Sequence, residues 1–155
     1  MIKRGVIWAL IMVFLCSSFI FATEFVRRPG VDGMCKHILL LPGYEGAQLI
    51  TELPGAYSDI EALGVKDIRV YKMNDGTSKE FAVIWLKDKD SLDQNVIELL
   101  QKRKEELKNA FDGNDVETER IDRSRIIEGN DFMVYIVYDT EGDANEAVYK
   151  YFVQR

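Results

Sequence analysis

Apolar and polar positions alternate in different ways along this chain. From Val6 to Ala22 no charged residue interrupts a run of Leu, Ile, Val, Phe and Trp, and Lys3 and Arg4 stand just before it. Glu80–Leu86 (EFAVIWL) and Phe132–Tyr138 (FMVYIVY) are short, nearly continuous apolar runs rich in aromatic and β-branched types. Runs of that length and make-up predict strands buried on both faces. Between them, Leu92, Val96, Leu99, Leu100, Leu107 and Phe111 recur mostly three or four apart, the stripe of an amphipathic helix. Ser91 and Gln94 are spaced to cap its start, and Asp112-Gly113 to end it.

Weaker patterns fill in the order. Ile68–Asn74 reads as a strand closed by the turn signal Asn74-Asp75-Gly76, and Arg125–Glu128 as a strand leading through Gly129-Asn130 into the last one. Asp143 and Glu146 cap a final helix with Ala144, Ala147, Val148, Tyr151 and Phe152 on one face. Upstream, Ala47–Leu53 suggests a helical turn or two, and Ser58 to Glu61 a capping box with Gly64 as a stop. The expected class is α+β: a small two-layer sandwich, β-β-α-β-β-α, with one mainly antiparallel sheet and its helices on one face. Pro29, Gly30 and Gly33 break the pattern before it. The chain therefore divides into an N-terminal segment 1–23, a linker 24–37 and a domain 38–155.

A basic start and an uncharged apolar run fit a membrane anchor or a cleaved signal peptide. As an anchor, Val6–Ala22 is at the short edge of what spans a bilayer. As a signal, Cys16-Ser17-Ser18 would supply small residues for cleavage, although Phe19-Ile20-Phe21 continues the apolar run. A lipidated Cys16 fits less well, because Val13-Phe14-Leu15 are too bulky for a lipobox. Every version puts the domain outside the cytoplasm, retained on the membrane or secreted.

Charge narrows the partners. Removing Lys3 and Arg4 leaves 18 basic and 26 acidic side chains, a net charge of −8. So acidic a surface repels phosphate backbones, which argues against nucleic acid, and gives no attraction to anionic lipid.

Few residues carry candidate chemistry. His37 is the sole histidine, and Cys35 lies two positions away. On a strand both would share a face, which would allow a thiol nucleophile and its base, but no third member is marked. Packed residues without chemistry are the default reading. With Cys16 in the apolar run, Cys35 is expected to remain unpaired inside the chain. The acidic stretch Asp112, Asn114, Asp115, Glu117, Glu119, Asp122 offers oxygen ligands for calcium, but Gly113 is misplaced for a calcium loop, and a solvated connection is the default. Arg103 falls toward the apolar side of its helix, where its stem can lie on the core and its head can pair with a carboxylate. Binding of an anionic ligand is the alternative for it. Trp85, Tyr135 and Tyr138 are expected to fill the core, and an aromatic groove is the alternative. No catalytic, cofactor-binding or metal-binding residue is assigned.

The strand EFAVIWLKDKD, the helix SLDQNVIELLQKRKEELKNAF, a variable acidic link, the hairpin IIEGNDFMVYIVYD and the helix DANEAVYKYF follow one another over residues 80–152. In this succession the chain resembles the bacterial family catalogued as domain of unknown function 4358. The resemblance covers about half the chain and implies an envelope protein with an export signal, a linker and one small α+β domain. It brings no catalytic residues. The missing lipobox departs from it. The expected function is a non-catalytic binding domain facing an envelope protein. A small extracytoplasmic hydrolase or ligand sensor is the alternative.

Overall fold

In a computed structural model, residues 30–87, 89–129, 131–139, 145, 148 and 149 are described, with the backbone alone at 61 and 89–93. The expected segment 1–23, the start of the linker, the turn residue Asn130 and most of the final helix lie outside these residues.

Among the described residues, five strands form one sheet: β1 (Gln48–Leu49), β2 (Asp67–Lys72), β3 (Glu80–Trp85), β4 (Arg125–Glu128) and β5 (Phe132–Ile136). Their order is β1-β2-β3-β5-β4, with every neighbouring pair antiparallel. The α+β class with a single antiparallel sheet is thus as the sequence indicates. β3 is central, with Val83 opposite Arg69 on one side and Val134 on the other. Successive strand residues point to opposite faces, so a fully apolar strand must be covered twice. Ala82 and Ile84 enter one core, and Phe81 and Val83 the other.

The first core lies under helix α2 (Lys89–Ala110) and a 3-10 helix (Gly55–Leu63). Val96, Leu99, Leu100 and Leu107 of α2 are buried here with Tyr57, Ile60 and Tyr135. Each side chain of this size contributes about 1.5–3 kcal/mol by leaving water. The second core is covered by helix α1 (Val31–Leu39), through Val31, Met34, Cys35 and Ile38. Val148 also packs there.

Five early assignments change. Ser58, expected to cap a helix, lies inside the 3-10 helix that starts at Gly55, and Ser91, expected to cap α2, lies inside that helix, which starts at Lys89. Residues 31–37, expected in a linker, are part of α1, and they place a helix on the second face of the sheet. Gly33 is tolerated inside it because the buried stripe at 31, 34, 35 and 38 supplies the packing. Within Ala47–Leu53, Gln48 and Leu49 form the edge strand β1 in place of a helical turn. The acidic stretch is helical over α3 (Asp115–Asp122), and the Asn114 side chain accepts the Glu117 amide as its N-cap.

Candidate functional site

Arg103 sits where the α2 stripe crosses the start of β3. The helical spacing that buries Leu100 and Leu107 carries it inward, and it is 8% exposed. Glu80, 1% exposed, projects toward it from β3. Arg103 Nε donates to Glu80 Oε1 at 2.9 Å and Nη2 donates to Oε2 at 2.7 Å, a two-pronged ion pair. Tyr57 Oη donates to Glu80 Oε1 at 3.0 Å, and the guanidinium lies 5.3 Å from the Tyr57 ring centre. The third prong, Nη1, reaches Glu106 Oε2 at 3.2 Å, and that same oxygen accepts the Ala56 amide at 3.0 Å. Glu106 thereby ties the first turn of the 3-10 helix to α2. Burial alone would lower the Arg103 guanidinium, but the hydrogen bonds and charge of Glu80 outweigh it and hold the group above its ordinary value. Burial pushes the phenols of Tyr57 and Tyr135 upward. The paired charges are therefore occupied with one another.

A second ionic group closes the same end of β3, at Ser78 and Lys79 just before Glu80. Glu117 of α3 accepts the Ser78 amide at 2.7 Å and pairs with Arg120. Arg120 Nε donates to Asp139 Oδ1 at 2.7 Å, and Lys79 Nζ meets Asp139 Oδ2 at 2.8 Å. Burial opposes ionisation of Glu117 and Asp139. Arg120 overcomes it at Glu117, and Lys79 with Arg120 overcomes it at Asp139, so both carboxyls stay below their ordinary values. The remaining acids of the stretch serve the helices: Glu119 pairs with Arg123 at 3.1 Å and Asp122 with Lys108 at 2.6 Å. Asp112 and Asp115 are exposed. Among the described residues, no three carboxylate, thiol or imidazole groups gather as a metal site.

Cys35 and His37 both lie on α1. Side chains two apart on a helix diverge, so the shared face expected of a strand does not arise. Cys35 is 1% exposed, and burial followed by the charge of Asp32 pushes its thiol up to about 12. It is protonated at neutral pH, unlike a nucleophilic cysteine. His37 is half-buried. Tyr135 and Tyr138 are buried, with Tyr138 Oη donating to the Pro42 carbonyl at 2.7 Å. Trp85 is half-buried, stacked on Phe132 at 5.7 Å and covered by Lys66 Nζ at 3.4 Å. These aromatic groups serve packing.

A concave surface lies elsewhere, beside the edge of the sheet. A groove of about 610 Å³ is lined by Leu49, Ile50, Leu53, Ile68, Asp67 and Arg69, with Thr51 and Ser58 at its sides. It exists because β1 is short. β1 pairs with Lys72 and Tyr71 of β2, and the Ile50 amide donates to the Val70 carbonyl at 2.8 Å. The chain then leaves the sheet toward Pro54, and the first residues of β2, paired with β3 on one side, have no strand on the other among the described residues. Sequence patterning does not locate this groove, since nothing in Gln48–Leu53 marks where pairing ends.

No family model, curated protein or solved structure matches the chain.

Proposed function

We propose that this chain is a bacterial envelope protein whose domain binds a protein partner outside the cytoplasm and catalyses no reaction. The observation that carries the binding part is the groove along the open edge of β2, apolar at Leu49, Ile50, Leu53 and Ile68 and polar at its rim. Leu49 is 45% exposed there, a large apolar side chain left at the surface beside an incompletely paired strand. The non-catalytic part is supported by the two ionic groups around Glu80 and Glu117, both of which are spent on holding elements together. The uncharged run Val6–Ala22 and the resemblance over residues 80–152 support membrane attachment, or secretion after cleavage. Among the described residues no helix is long and apolar enough to cross a membrane. Val6–Ala22 lies outside them.

The test is a cross-linked pull-down of the C-terminally tagged chain from its native membranes, set beside Leu49→Asp in the groove and Val116→Asp on exposed α3. One component recovered with the native chain and with Val116→Asp, and lost with Leu49→Asp, is the expected result. Recovery that is indifferent to Leu49→Asp, or recovery of nothing above background, would remove the groove as the binding surface.

A further inference from the structure

The backbone of Ile68 is the part of the groove with a specific chemistry. In an antiparallel ladder, alternate residues turn their amide and carbonyl to the same neighbour. Val70 turns its carbonyl to Ile50, so Ile68, two residues earlier, presents its N–H and C=O on that side too. Among the described residues, no strand stands opposite it on that side. Its own neighbours serve instead. The Ile68 amide donates to Asp67 Oδ1 at 2.9 Å, and Arg69 Nη1 donates to the Ile68 carbonyl at 3.0 Å. Asp67 and Arg69 also pair with one another. Both side chains are about a third exposed, at 32% and 36%. This is a side-chain plug on a strand edge, held at the surface and open to displacement.

We infer that Ile68 is a strand-addition site for an extended, basic peptide, with Asp67 and Arg69 as its removable cap. The inference rests on the groove being the binding surface. A peptide residue opposite Ile68 takes over both backbone bonds at once. Its apolar side chain falls on the face of Ile68, against Leu53 and the first core. The next residue along faces Asp67. A lysine there replaces Arg69 as the partner of Asp67, and the surroundings favour it. Asp32, 3.9 Å from Arg69, is 81% exposed, and Glu52 is exposed between two lining residues. The acidic surface steers such a peptide inward.

The probe is a short capped peptide of alternating valine and lysine, fluorescently labelled and titrated into the full-length chain in non-ionic detergent. Ile68→Pro removes the amide donor at an edge position where proline is tolerated. It is expected to weaken binding at least about tenfold. Arg69→Ala uncovers the carbonyl and frees Asp67, and is expected to tighten binding about threefold to tenfold, the worth of one exchanged hydrogen bond. Unchanged affinity in Ile68→Pro, or no binding by either the native chain or Arg69→Ala, overturns the inference. Should Ile68→Pro fail to fold, hydrogen exchange at the Ile68 amide of the native chain decides. Slower exchange with peptide supports strand addition, and unaltered exchange refutes it. A partner lost with Leu49→Asp but kept by Ile68→Pro in the pull-down would leave the groove standing and strike out strand addition alone.

Discussion

Replacing Arg103 by leucine probes the contact that joins α2, β3 and the 3-10 helix. The substitution keeps the apolar stem and deletes the guanidinium. Glu80, 1% exposed, then keeps only the Tyr57 hydroxyl among the side chains that hold it. Losing one member of a buried ion pair costs about 3–5 kcal/mol, because the survivor is left charged and desolvated. Glu106 also loses a bond, but it is half-buried and reaches water, so its share is small. For a fold of this size that range corresponds to a fall of roughly 10–20 °C in melting temperature. Adding Glu80→Gln to Arg103→Leu should return part of the loss, since an uncharged amide is less costly to bury than a carboxylate. The assay is thermal and urea unfolding of the two single variants and the double, followed by circular dichroism in one detergent. The cycle should show a coupling of at least about 2 kcal/mol. A loss below about 1 kcal/mol for Arg103→Leu, with additive effects in the double variant, would mean that Glu80 is solvated and the described core is wrong.

Other outcomes follow from single contacts. Gly55 has φ of +55°, and a β-carbon there would lie 2.1 Å from Glu106 Oε2, so Gly55→Ala should destabilise by about 1–3 kcal/mol in the same melts. Glu117 and Asp139 are held below their ordinary values of 4.5 and 3.8, so their stabilisation is complete above those values and is lost as pH falls through the lowered folded ones. Unfolding measured between pH 6 and about 2 should therefore steepen below about pH 4. Glu117→Gln should flatten that slope, and an unaltered slope would contradict the assignment. In a Cys16→Ser background, Cys35 should resist maleimide at pH 8 in the native chain and react at once in denaturant. Rapid native labelling would show that α1 does not cover the sheet.

How much of this could be read from the sequence depends on how locally each feature is encoded. β3, β5 and α2 are written in long apolar patterns, and tertiary packing agrees with them. α1 was obscured by Pro29, Gly30 and Gly33, which read as breakers. Its signal was the spacing of Val31, Met34, Cys35 and Ile38, which only a covering sheet makes meaningful. α3 has a cue in the cap spacing of Asn114 and Glu117, which the acidity of the stretch masks. Arg103 was legible as an inward arginine. Its partner was not, because Glu80 opens an otherwise apolar strand, and no local rule says a carboxylate there is buried. The groove lay beyond sequence reasoning altogether. It is made by the end of pairing between β1 and β2, and by Asp67 and Arg69 folding back on Ile68.

The central claim is that this edge of the sheet meets a partner. It is tested most directly by placing a photo-activated cross-linking residue at Thr51, an exposed groove position, and at Val116 on α3, in cells carrying the full-length chain. The account predicts a discrete adduct from position 51, absent from position 116 and reduced by Ile68→Pro. The same adduct pattern from both positions, or none from position 51, would contradict it.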